Sequence, residues 1–156
     1  MTRKFLVVVD DTPEFEAALR YAARRARSTG GRVALLRVIP AAASDAHWAG
    51  VREEIERQTR VEAEALLNKW AEEAHARSGE MPVLLIERGE PQAAIRKAVG
   101  EDPDIKILVL AASEGARGAG PLITAVLKQG GAFTGRKLPV TIVPGELTDD
   151  EVEDLA

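Results

Sequence analysis

The sequence predicts an α/β fold: a five-stranded parallel sheet, doubly wound, with helices on both faces. Three observations carry this. Short apolar runs rich in β-branched residues alternate with longer segments of helical period, the pattern of βαβ units. The runs are apolar at successive positions rather than alternate ones, as strands covered on both faces are. The helical segments are bracketed by Thr, Pro and Gly at the positions that start and stop helices.

The predicted strands are Lys4–Val9, Arg32–Val38, Val83–Glu87, Ile105–Ala111 and Val140–Val143. After the first, Thr12 is expected to cap and Pro13 to open a helix with Phe15, Leu19, Ala22 and Ala26 on one face and Gly30 as its stop. The loop from Pro40 to Gly50 precedes a long helix over about residues 50–78. Its expected inner stripe is Ile55, Thr59, Ala63, Leu66, Trp70 and Ala74, and its expected ion pairs are Glu53/Arg57 and Glu56/Arg60. The third helix opens at Pro91 and closes at Gly100, with Ala94, Ile95, Ala98 and Val99 inward; the fourth starts at Pro121. Three glycines between Gln129 and Lys137 predict an irregular connection into the last strand.

At 156 residues the chain suits a single domain, read here as residues 1–145, with residues 146–156 as an acidic extension. All 21 Lys and Arg precede six of the 25 acids, so the body carries +2 and the extension −6. Thr148-Asp-Asp-Glu151 is a capping box and Leu147 and Val152 occupy the positions of a hydrophobic staple, so a short helix docked through Val152 and Leu155 stands against a disordered tail. With no cysteine there is no disulfide framework, thiolate nucleophile or zinc-thiolate site. The chain opens without the apolar length of a signal peptide and has no run long enough for a membrane span, so a cytoplasmic protein is expected. Six aromatics and a nearly balanced body exclude the basic, aromatic-interleaved footprint of a nucleic-acid binder.

Two strand ends hold polar chemistry. The fourth strand empties into Ser113-Glu-Gly-Ala-Arg-Gly-Ala-Gly120, and glycines between a strand and a helix let backbone N–H groups approach an anion. The first strand runs into Asp10, Asp11, Thr12 and Pro13. If strands 1 and 4 are central neighbours, their connections leave in opposite directions and open a crevice there. The plainer readings stay open beside this: a flexible glycine turn, and two acids that serve only the turn and the first helix. His47 and His75 lie on separate segments without a ligand set, and Trp48 and Trp70 read as packing residues.

Taken together, Val7-Val-Val-Asp10, Gly30-Gly-Arg-Val-Ala-Leu-Leu-Arg-Val38, Arg88-Gly-Glu-Pro91 and Pro103-Asp-Ile-Lys-Ile-Leu-Val109 resemble the universal stress protein family, from Lys4 to Pro144. The resemblance implies that family's five-stranded parallel sheet, its habit of dimerising, and roles in stress tolerance and signalling. It also implies, for nucleotide-binding members, ATP or another adenine nucleotide held by a G-x2-G-x9-G-[S/T] pattern. Gly115 and Gly118 satisfy the first part; Lys128 stands where the third glycine belongs, with Gly130 and Gly131 two and three residues late and Thr134 as the nearest downstream hydroxyl. In the alternative register through Gly120 and Gly130, Arg117 replaces the first glycine. On this reading Asp10 meets the ribose or base, the Val38 backbone meets the base, and Arg117 neutralises phosphate.

No G-x-S-x-G elbow, Walker A or H-E-x-x-H motif is present, so a non-catalytic protein is expected. Two function classes remain: a stress or regulatory interaction module working as a homodimer, and an adenine-nucleotide sensor. The last strand, with Val140, Ile142 and Val143, is the expected dimer edge.

Overall fold

Each apolar run forms a strand within one residue of its expected bounds. The computed structural model describes residues 2–41, 49–113 and 120–156. Its elements are β1 (Lys4–Val8), α1 (Phe15–Thr29), β2 (Arg32–Ile39), α2 (Ala49–Ser78), β3 (Val83–Arg88), α3 (Pro91–Glu101), β4 (Ile105–Ala112), α4 (Pro121–Gln129), β5 (Val140–Pro144) and α5 (Asp149–Leu155). The sheet is parallel throughout, in the order β3-β2-β1-β4-β5. His47, Trp48, Gly115, Arg117 and Gly118 lie outside the described residues.

Alternation across the pleat sorts the strands' apolar residues into two cores. Phe5, Val7, Val33, Leu35 and Val109 pack with α1 and α2. Leu6, Ala34, Leu36, Leu108 and Leu110 pack with α3 and α4. This is the doubly wound arrangement, and it explains why the strands read as continuous apolar runs.

Helix α1 ends as expected: Gly30 adopts φ 69°, which glycine alone enters freely, and donates its N–H to the Ala26 carbonyl. Its start differs from the sequence expectation. Thr12 does not cap α1; its N–H and its hydroxyl both donate to Asp10 Oδ1, closing a turn before the helix. Helix α3 opens on Glu90, whose carboxylate accepts the N–H groups of Gln92 and Ala93, and buries the expected Ala94, Ile95, Ala98 and Val99.

Helix α2 departs from its predicted stripe. Ala63, Leu67, Ala71 and Ala74 are buried, with Leu66 and Trp70 packed beside them, whereas Ile55 is 54% exposed. Thirty residues of helix span about 45 Å, while an eight-residue strand spans about 26 Å, so the first turns of α2 overrun the sheet. The ion pairs there are Arg57 with Glu54 and Arg60 with Glu64, replacing the expected Glu53/Arg57 and Glu56/Arg60. Trp70 packs edge-on against Phe15, ring centroids 5.1 Å apart.

The acidic extension is helical from Asp149 and rests on α1. Thr148 Oγ1 accepts the Glu151 N–H, and Glu151 Oε1 accepts the Thr148 N–H, completing the capping box. Val152 is buried but Leu155 is 61% exposed, so only one of the two expected anchors docks. Arg20 and Arg77 converge on Asp149, and Arg24 pairs with Glu153.

Candidate functional site

Because β1 lies between β2 and β4, the connections after β1 and β4 depart to opposite sides, and a crevice opens at their carboxyl ends. It measures about 150 Å³. Asp10 and Glu14 line one side; Ala111 and the start of α4, from Gly120 to Leu122, line the other.

Each wall has a local cause. The bond of Thr12 to Asp10 Oδ1 fixes the carboxylate and leaves Oδ2 without a partner among the described residues. Arg37, on β2, braces the same exit: its Nη1 donates to the Val9 carbonyl at 3.1 Å and its Nη2 lies 3.4 Å from Asp11 Oδ2. Its Nε is buried without a hydrogen-bond partner among the described residues. Gly120 takes φ 99°, a conformation that strains any other residue, and Pro121 sets the first turn of α4 behind it. The N-terminal turn of α4, with its unpaired N–H groups, thus borders the crevice. Glu14 is held from behind, since a Cβ on Gly145 would fall 2.6 Å from the Glu14 Cβ. The crevice is lined mostly by apolar side chains, and its polar groups include two carboxylates and a helix N-terminus, hydrogen-bond acceptors and donors.

A model of the universal stress protein family matches residues 1–129. The chain belongs to the universal stress protein family. Solved structures share the fold of this universal stress protein. The universal stress protein UspA from Lactobacillus plantarum is 21% identical, with a TM-score of 0.67 over 90% of this chain and 97% of that one. A universal stress protein in complex with cAMP is 16% identical, with a TM-score of 0.61 over 92% and 98%. A universal stress protein family protein from Arabidopsis thaliana with AMP bound is 19% identical, with a TM-score of 0.61 over 91% of each chain. No curated protein matches the chain.

Of the residues that sequence reasoning grouped, the described ones do not all meet at the crevice of this universal stress protein. Asp10 lines the crevice. Val38 ends one strand further out, packed against the α3 side of the core and outside the crevice lining. Gly130 and Gly131 form a 3-10 turn beyond the far end of α4, whose nine residues place them about 13 Å from its start. Thr134 is buried, and its hydroxyl donates to the Arg136 carbonyl. The structure therefore does not bring Gly130, Gly131 or Thr134 to Asp10; the described glycine that borders the crevice is Gly120. Sequence reasoning missed Glu14 and Arg37. Arg37 had a readable signal, since it interrupts an otherwise apolar strand after Val33-Ala-Leu-Leu36.

Along β5, Val143 is buried in the core under α1 and Val140 packs against the opposite core. Ile142, 39% exposed, is the apolar side chain this strand presents to solvent. Among the described residues no helix is long and apolar enough to cross a membrane, and no cluster of metal-ligating side chains occurs.

Proposed function

We propose that this universal stress protein is a non-catalytic stress-response regulator in the cytoplasm that works as a homodimer and senses an adenine nucleotide at the β1/β4 crevice. The observation that carries the ligand is the meeting of the spare Asp10 Oδ2 with the glycine-led N-terminus of α4 across one crevice. Oδ2 accepts from a ribose hydroxyl or the adenine amine. The phosphates lie toward the start of α4, away from Asp10 and Glu14. The bound nucleotides named for two structural neighbours support the choice of adenine chemistry.

A crevice of about 150 Å³ is below the roughly 300–1,000 Å³ usual for small-molecule sites, so it covers part of a nucleotide and binds it weakly. The non-catalytic reading is supported by membership of the universal stress protein family. For the dimer, β5 is one of the sheet's two outer strands, and its exposed edge and Ile142 suit pairing with a second copy about a two-fold axis.

The deciding experiment is to purify the protein without added nucleotide, denature it, and analyse what is released, followed by calorimetric titration with ATP, ADP and AMP. Release of an adenine nucleotide, or saturable binding, is the expected result. No binding of any of the three at millimolar concentration would leave the dimeric interaction module as the function.

A further inference from the structure

At the end of the sheet opposite the crevice, the starts of β1 and β4 and the segment leading into β5 enclose a concavity of about 630 Å³. That volume lies within the usual range of small-molecule sites. Arg3, Lys106, Arg136 and Lys137 line it, against one carboxylate, Asp104. Four like charges around a concavity repel one another, and an anion between them relieves the repulsion.

The cations are placed by the backbone. Lys4 lies opposite Ile105, but Phe5 lies opposite Ile107, so Lys106 is the extra residue of a β-bulge. A bulge re-aims its side chain, here into the concavity. Arg136 is pinned by Nη2, which donates to the carbonyls of Val99 at 2.9 Å, Asp102 at 3.1 Å and Ile105 at 2.9 Å. Those carbonyls take up the two hydrogens of Nη2 and leave the positive charge of the group in place. The stem of Lys137 lies over Gly131, where an added Cβ would come within 3.2 Å of its Cγ, so the glycine makes room for it. Asp102, at the end of α3, is bonded to Lys4, and the charge of Arg136 also acts on it. The side chains of Arg3, Lys106 and Lys137 make no ion pair among the described residues.

We propose that this concavity binds a small molecule carrying a diphosphate or a comparably dense cluster of negative charge. The pinned Arg136 supplies a preorganised contact, Lys106 and Lys137 close on either side, and the apolar surface at Leu138 packs against the remainder of the ligand. A nucleic acid needs a basic track along many phosphates, whereas this chain, of net charge −4, sets four of its 21 Lys and Arg around one hollow.

Inorganic pyrophosphate is the probe, and backbone amide shifts of the full chain are the readout. Saturable shifts at residues 104–107 and 136–138, with a dissociation constant at or below about 1 mM, are expected. In the double variant Lys106→Ala/Lys137→Ala, whose folding is checked by circular dichroism, affinity should fall at least about tenfold. Shifts that fail to saturate, an equal response to sulfate at matched ionic strength, shifts confined to residues 8–12 and 120–123, or unchanged affinity in a folded double variant would each overturn the proposal. The crevice residues report separately, so failure here leaves the nucleotide reading intact.

Discussion

Lys4 Nζ lies 2.6 Å from Asp102 Oδ2, joining the first residue of β1 to the residue that ends α3 across 98 positions of sequence. Burial opposes the charge on Asp102, but it is outweighed by the hydrogen bonds from Lys4 and from the Asp104 N–H and by the charges of Lys4 and Arg136, so the carboxyl is held below its usual range. A carboxylate depressed in the folded state adds stability that is fully present above its unfolded pKa of about 3.9 and is lost as pH falls through the folded value. Wild type should therefore lose part of its stability below about pH 4, and Asp102→Asn should lose that part of the pH dependence. At neutral pH the variant should cost about 1–3 kcal/mol in urea denaturation. An unchanged acid limb would show that the pair contributes nothing.

The Asp10 turn and a ligand role of Asp10 can be separated by mutation. Thr12→Ala removes the hydroxyl's bond to Oδ1 but keeps the backbone N–H bond and leaves Oδ2 in place, so stability should fall by about 1 kcal/mol while nucleotide affinity falls little. Asp10→Ala should weaken adenine-nucleotide binding about 10- to 100-fold by calorimetry. Equal effects of the two variants would assign Asp10 to the turn alone.

For α5, Thr148→Ala removes the cap hydroxyl and should cost about 0.5–2 kcal/mol, enough to release a seven-residue helix anchored by Val152. Amide exchange should show protection at residues 151–155 in wild type and its loss in the variant. Raising the salt concentration should weaken protection in part, because the pairs of Arg24 with Glu153 and of Arg77 with Asp149 are solvent-accessible. Random-coil exchange in wild type would contradict a docked helix.

On β5, Ile142→Lys should convert a sedimenting dimer to monomer while leaving the melting temperature of the monomer nearly unchanged, because its side chain faces solvent. Val143→Ala should instead destabilise the fold, by about 1–3 kcal/mol, since that side chain is buried. A dimer that survives Ile142→Lys would place the contact elsewhere.

Much of the fold was legible because its signals are local. Each strand is a closed apolar run between breakers, and α3 carries its start, stop and inner face within eleven residues. What escaped depends on lengths and partners that no single segment encodes. Ile55 fits the helical period yet stays exposed because α2 is longer than the sheet beneath it. Thr12 has the right chemistry for a cap, but Asp10 competes for its N–H and hydroxyl from two residues away. For the site, strand ends and glycines were readable, whereas the separation of Gly130 and Thr134 from Asp10 follows from the direction and length of α4.

The strand order has a consequence for how the chain is made. Leu6 pairs with Ala34 on one flank and with Leu108 on the other. During synthesis the β1–β2 pair can close once residue 39 is free, but the opposite flank of β1 waits for β4, complete only at residue 112. At about 5–20 residues per second that wait lasts roughly 4–15 s, with an apolar strand edge open to the surroundings. The nascent chain is thus most exposed to chaperones, and to misassociation with its neighbours, in the interval between its second and fourth strands.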